Sequence, residues 1–167
     1  MPAVATKNKV ANPTKNSLPE GVRETMIGLL QGSLADSADL QFQAKTAHWN
    51  VKGPNFIALH ELFDQAHAET ITWTDEIAER LVMLGGVAEG NVQAVAKNTR
   101  LPEYSLQIKE SSAHVEAFSS ALAAYGKTIR KNIDKADEAG DKDTADLFTG
   151  ISRAVDKMLW FVESHNQ

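Results

Sequence analysis

The chain of 167 residues contains no cysteine at all. That excludes disulfides, thiolate zinc sites, iron–sulfur clusters and thiol catalysis, and it suits a reducing compartment such as the cytoplasm. No apolar run approaches the roughly 20 residues that a membrane-spanning helix needs, so no membrane association is expected. The first 16 residues have no apolar core of the kind a secretory leader carries. Basic residues are outnumbered, 17 Lys and Arg against 22 Asp and Glu, so the molecule as a whole is not built like a basic nucleic-acid binder. There is no glycine-rich phosphate loop, no nucleophilic serine motif, no zinc-protease motif and no run of alternating β-type residues. Proline and glycine are scarce, 5 and 10 residues, and most cluster between long periodic stretches.

Those stretches are what the sequence does contain. Residues 1–16 hold Lys7, Lys9 and Lys15, no acid and no periodicity, and read as a flexible basic tail separate from a single domain over 17–167. A long helix is expected from Ser17, where Ser17-Leu18-Pro19-Glu20 matches a capping box, to about Val51, before Gly53-Pro54. A second runs from about Asn55 to Leu84 and stops at Gly85-Gly86. The connection over 86–104 has room for a short helix near Asn91–Ala96. Two further helices follow, from about Leu106 to Ala139 before Gly140, and from about Thr144 to Ser164. Short, long and short connections predict an all-α four-helix bundle with one long crossover between the second and third long helices. The ferritin-like bundle belongs to that class, although topology alone does not give function.

The chemistry-bearing residues are histidines and carboxylates. His60 and Asp64 are four apart and share a helix face. His48 precedes the Gly53-Pro54 turn by about as much as His60 follows it, so an antiparallel hairpin brings them to one level. Two imidazoles and a carboxylate suit iron or zinc; a hydrogen-bonded pair of interfacial histidines is the alternative. Asp75 and Glu79 repeat the four-residue spacing 11 residues further on, on nearly the same face but about 16 Å away at 1.5 Å per residue. They are too distant to join one centre within a chain. If two copies of this helix pack antiparallel about a two-fold axis near residues 69–70, the 60/64 pair of one chain meets the 75/79 pair of the other. The plain alternative is that Asp75 and Glu79 are solvated acids. An intrachain ferritin centre needs Glu-x-x-His on two helices, and the chain has none; Asp64-x-x-His67 is the nearest match.

These motifs carry a resemblance. The segments Ala47-His48-Trp49-Asn50-Val51-Lys52-Gly53-Pro54-Asn55-Phe56, Leu59-His60-Glu61-Leu62-Phe63-Asp64, Asp75-Glu76-Ile77-Ala78-Glu79-Arg80 with Leu84-Gly85-Gly86, Asp143-Thr144-Ala145-Asp146, and Asp156-Lys157-Met158-Leu159-Trp160-Phe161-Val162-Glu163-Ser164 resemble the Dps family, the DNA-binding proteins from starved cells. The likeness spans about residues 18–165. It implies a ferritin-like bundle assembled into a hollow dodecamer. It also implies a ferroxidase centre at the two-fold interface, which oxidises Fe(II) with hydrogen peroxide in preference to oxygen, stores the ferric product and protects DNA from oxidative damage. Carried over, His48, His60 and Asp64 come from one subunit and Asp75 and Glu79 from its neighbour. The resemblance further implies that acids of the turn after the third long helix, here Asp137, Asp141 and Asp146, line a pore for iron. Trp49 shields the centre, absorbs stray oxidising equivalents or simply packs; His67 is an outer-shell or interface group; His114 and His165 are expected at the surface or an interface.

DNA is the second reading. The formal charge of −5 divides into +3 on the tail and −8 on the rest. Twelve tails together carry about +36 and bind multivalently, without sequence specificity and in a salt-sensitive way. In that alternative the protein is a nucleoid-associated, DNA-compacting particle whose cage is scaffold and whose lysines, Lys7, Lys9 and Lys15, do the binding.

Overall fold

The computed structural model describes residues 9–167. It holds α1 (Glu20–Asn50), α2 (Phe56–Met83), α3 (Val92–Asn98), α4 (Ser111–Glu138) and α5 (Lys142–Glu163), with no strand among the described residues. The hairpins α1–α2 and α4–α5 pack together into a four-helix bundle, and α3, within the crossover, lies against α1. No helix among the described residues is long and apolar enough to cross a membrane.

The helix ends follow from local chemistry. Gly85, at φ +91°, donates to Val82 O while Gly86 donates to Leu81 O, so α2 closes in a Schellman turn. Gly140, at φ +83°, closes α4 in the same way, through Asp137 O and, from Asp141, Ala136 O. Three boundaries differ from the sequence expectation. Ser17 does not cap α1, which begins at Glu20 after Pro19; Asn16 Oδ1 takes the Leu18 N–H instead, an alternative to the helix that short polar side chains offer. Ser105 does likewise for Gln107, and α4 starts at Ser111 rather than near Leu106. Asp141 accepts the Thr144 N–H, so α5 starts at Lys142.

Apolar side chains at helical spacing meet in one core, with Met26, Leu30, Phe63, Phe118, Phe148 and Val155 fully buried. Phe63 and Phe118 pack edge to face at 5.5 Å, and Trp73 stacks on Tyr125 at 6.2 Å. On α1 the whole run Ser33–Ala38 is buried, because the crossover covers the side that α2 and α4 leave open. Its polar members are paired: Ser33 with Asn132 at 2.9 Å, Ser37 with Thr74 at 2.8 Å, and Asp36 with Arg100, whose Nη2 lies at 2.6 Å.

The expected tail also changes. Residues 1–8, including Lys7, lie outside the described residues. Ala11 and Asn12 both donate to Gly85 O, at 2.8 and 3.0 Å, and Val10 packs against the core. A Cβ on Gly85 would fall 2.6 Å from Asn12 O, so this docking needs glycine there. Residues 10–12, which the sequence reading put in the tail, are thus docked on the end of α2. Lys9 and Lys15 are exposed.

Asp141 is a second correction. It is only 2% exposed and takes Arg80 Nη2 at 2.7 Å and the Thr144 hydroxyl at 2.6 Å, which commits it to joining α2 to the α4–α5 turn rather than lining a pore. Asp137, paired with Lys142, and Asp146 remain exposed. Burial pushes the Asp141 carboxyl up, but the hydrogen bonds from Thr144 and Arg80 outweigh it and hold the pKa below its ordinary 3.8. A depressed carboxylate contributes stability that is complete above the unfolded value and lost as pH falls through the folded one. Asp141→Asn should therefore melt below wild type at neutral pH, and the gap should close as pH falls below 3.8. A gap independent of pH in melting curves would contradict this.

Candidate metal centre

The α1–α2 turn is tight. Gly53 sits at φ +110° and Phe56 N–H donates to Gly53 O at 3.0 Å, which folds the start of α2 back along the end of α1. His48 and His60 thereby face each other, their rings stacked with centroids 3.7 Å apart. The Nδ1 of His48 lies 2.7 Å from the carbonyl oxygen of His60, and the Nδ1 of His60 lies 2.9 Å from that of His48. A carbonyl only accepts, so both Nδ1 atoms carry a proton, and in the neutral imidazole the lone pair is then on Nε2. This is the arrangement in which an imidazole is held in place to bind a metal through Nε2. His67 is held in the same tautomer by Gln41 O at 3.1 Å.

Asp64 is one turn beyond His60 and about half exposed, and Lys45 of α1 forms an ion pair with it. The hydrogen bond from Lys45 holds the Asp64 carboxyl below its ordinary range against slight desolvation, with the Lys45 charge, and those of His48 and His67 once they are protonated, acting in the same direction. Lys45 is a group the sequence reading missed. Its signal was available: it lies three residues before His48, on the same face of α1.

Asp75 and Glu79 are both exposed on α2, three turns further along. Among the described residues no three His, Asp or Glu side chains of one chain converge closely enough to hold a metal. The structure thus brings His48, His60 and Asp64 to one end of the α1–α2 hairpin and leaves Asp75 and Glu79 apart from them. The exposed face of α2 that carries all of these acids also carries Ile57, Ile71 and Val82, and Trp49 beside His48 is 65% exposed. Packing within the chain therefore does not account for Trp49. His114, expected at the surface or an interface, is 1% exposed within the chain, under Tyr104; His165 is partly exposed.

A ferritin-like domain model matches residues 27–167. The chain is 48% identical to the DNA protection during starvation protein of Agrobacterium fabrum over 92% of its own length and 95% of that protein. It is 34% identical to the protein of the same name from Mycolicibacterium smegmatis, over 82% of this chain and 74% of that one. Among solved structures, DpsA14 from Streptomyces coelicolor superposes with a TM-score of 0.88 at 30% identity, covering 94% of both chains.

Proposed function

The chain belongs to the Dps proteins of the ferritin-like family, and from that premise we propose that it is an iron-storing ferroxidase that protects DNA by consuming Fe(II) and peroxide together. The observation that carries the reading is the reciprocal Nδ1–carbonyl pair of His48 and His60, which turns Nε2 of each neutral ring over to a metal at the end of the hairpin where Asp64 lies one turn further along α2. Fe(II) is the substrate. His48, His60 and Asp64 of one subunit and Asp75 and Glu79 of its neighbour bind it, in a homo-oligomeric cage that we take to be a dodecamer.

Packing α2 against its symmetry mate near residues 69–70 sets Ala68 opposite Ile71 and Ile57 opposite Val82, which covers exposed apolar surface. The same register sets Asp64 opposite Asp75. Two carboxylates in contact repel one another, and a cation between them removes the conflict. The chemistry follows from the donors: neutral imidazoles hold Fe(II), while anionic oxygens stabilise Fe(III) more strongly and so favour giving up the electron. Peroxide accepts two electrons, one from each of two Fe(II) ions, takes up two protons and leaves as water, a route that forms no hydroxyl radical; only turnovers in which peroxide takes a single electron release one. Lys45 loses Asp64 to the incoming cation and is left as a positive charge at the rim. Asp137 and Asp146 stay as candidates for guiding iron inward.

The experiment is to mix the Fe(II)-loaded cage with peroxide and follow ferric absorbance alongside a hydroxyl-radical trap. Rapid oxidation with the trap suppressed relative to free Fe(II) supports the reading; oxidation no faster than in buffer defeats it. DNA contact belongs to the part of the chain before the Gly85 dock, in a cytoplasmic, nucleoid-associated protein. Removing residues 1–9 should leave iron oxidation unchanged and weaken DNA retention in a mobility-shift assay. Unchanged retention would move DNA binding elsewhere.

A further inference from the structure

One titratable pair, a buried histidine and a half-buried tyrosine, is not used by the metal centre. Tyr104, in the crossover, has its phenol oxygen 2.6 Å from His114 Nδ1 at the start of α4, and the two rings stack at 6.1 Å. His114 is 1% exposed and its Nε2 has no partner within the protein. Nothing else competes for the imidazole, so its polar contact is the phenol. Burial pushes the phenol pKa up and the imidazole pKa down, so at rest both are neutral and the proton sits on oxygen, donated to Nδ1. Buried unpartnered polar groups in a native protein call for an explanation, and a redox role is one.

The position is close to the iron chemistry. Tyr104 lines a cleft with Thr46 of α1. Thr46 and His48 are two residues apart, on opposite sides of that helix. A helix with its side chains is about 10–12 Å across, which separates the phenol from the imidazoles by about one helix width. Ser111, in the first turn of α4, lies against the Gly53 turn, with its Oγ 3.7 Å from where a Cβ would stand.

We propose that Tyr104 and His114 form a proton-coupled oxidisable pair that takes up single oxidising equivalents escaping the iron–peroxide reaction; this rests on the ferroxidase reading above. An oxidant of the hydroxyl-radical class takes one electron from the phenol and becomes hydroxide. The phenolic O–H bond breaks as its proton passes to His114 Nδ1, leaving a neutral phenoxyl radical beside an imidazolium. One Fe(II) then returns the electron and becomes Fe(III), and the proton goes back to the phenol oxygen. In net terms a hydroxyl radical and Fe(II) become hydroxide and Fe(III). The unfavourable buried imidazolium drives the proton's return. Tyr125, the chain's other tyrosine, is fully buried with no imidazole or carboxylate bonded to its hydroxyl, so its proton has no basic group to go to.

The test has two arms on the assembled full chain. In the first, the metal-free protein is oxidised by a flash-generated ruthenium polypyridyl oxidant and read by transient absorption and EPR, where tyrosyl and tryptophanyl radicals are distinct. Wild type and Tyr125→Phe should show a tyrosyl radical; Tyr104→Phe should lose it. His114→Gln should lose the solvent deuterium isotope effect on its formation, which a purely structural contact would not change. A tyrosyl signal surviving Tyr104→Phe, or none in wild type, overturns the proposal. In the second arm, Fe(II) and peroxide are mixed and freeze-quenched. The Tyr104 radical should appear while Tyr104→Phe oxidises iron at the wild-type rate. If iron is oxidised and no Tyr104 radical forms, the pair does not serve this reaction and the proposal falls. If iron is not oxidised while the flash arm gives the Tyr104 radical, the pair stands and the ferroxidase reading falls.

Discussion

Replacing His48 and His60 together by Ala should slow oxidation of Fe(II) by peroxide more than about 100-fold, since even groups that only hydrogen-bond to metal ligands are worth about 10–100-fold. The cage should stay assembled. Both imidazoles are only partly buried, and their loss removes one ring-stacking contact and two hydrogen bonds to the ends of α1 and α2, with the core beneath untouched. Rates from stopped-flow absorbance and assembly from sedimentation decide it. A double variant that keeps its size and its rate would remove the histidines from the chemistry. A loss of size would make them structural instead.

The second large effect is on stability. Arg100→Ala should cost about 3 kcal/mol, the lower end of the range for breaking a buried pair, and lower the melting temperature by about 6–12 °C. The reason is Asp36. It is 1% exposed in the middle of α1 and takes three donors from Arg100: Nη2 at 2.6 Å, Nε at 3.0 Å and the backbone N–H at 2.8 Å. Truncation leaves a buried carboxylate without its charge partner. Because the guanidinium is itself half exposed, water recovers part of the loss. Gly32 lets the guanidinium lie flat on α1, since a Cβ there would come within 3.1 Å of it. Arg100→Lys should rescue only part of the loss, as an ammonium cannot present the planar fork. Denaturant melts showing a cost under about 1 kcal/mol would make the pair an ordinary surface bridge.

Arg100 and Asp36 show which part of this molecule was legible in the sequence. Helices with a steady apolar period, and stops made by Gly85-Gly86 and Gly140, read correctly because their causes are local. The all-α bundle with its crossover helix followed from connection lengths alone. The long-range polar contacts were not legible: Asp36–Arg100, which fixes the crossover, and Ser33–Asn132 and Arg80–Asp141, which tie the long helices, join positions more than 60 residues apart. For the same reason Asp141 read as a pore-lining acid like Asp137 and Asp146, although Arg80 and Thr144 bury it. Ser17 looked like a cap because the motif holds only if the chain turns at that residue, and Asn16 and Pro19 turn it differently. At the candidate centre, spacing gave the shared level of His48 and His60. It did not give the crossed bonds to each other's backbone that fix the tautomers, because those depend on the closeness of the two helices. His114 carried no pattern at all, since its partner Tyr104 sits in an irregular segment.

The central claim is that each centre is assembled from two chains, with His48, His60 and Asp64 on one side and Asp75 and Glu79 on the other. The most direct measurement uses two inactive parents, His48→Ala/His60→Ala and Asp75→Ala/Glu79→Ala, dissociated, mixed and reassembled with subunit exchange verified by mass. In a mixed dimer one of the two symmetry-related sites has every ligand intact, while the other collects all four substitutions. We predict that the mixture regains up to about a quarter of wild-type Fe(II) oxidation, since random pairing under two-fold symmetry makes half the dimers mixed, each with one whole site. A mixture no more active than its parents would contradict a shared centre.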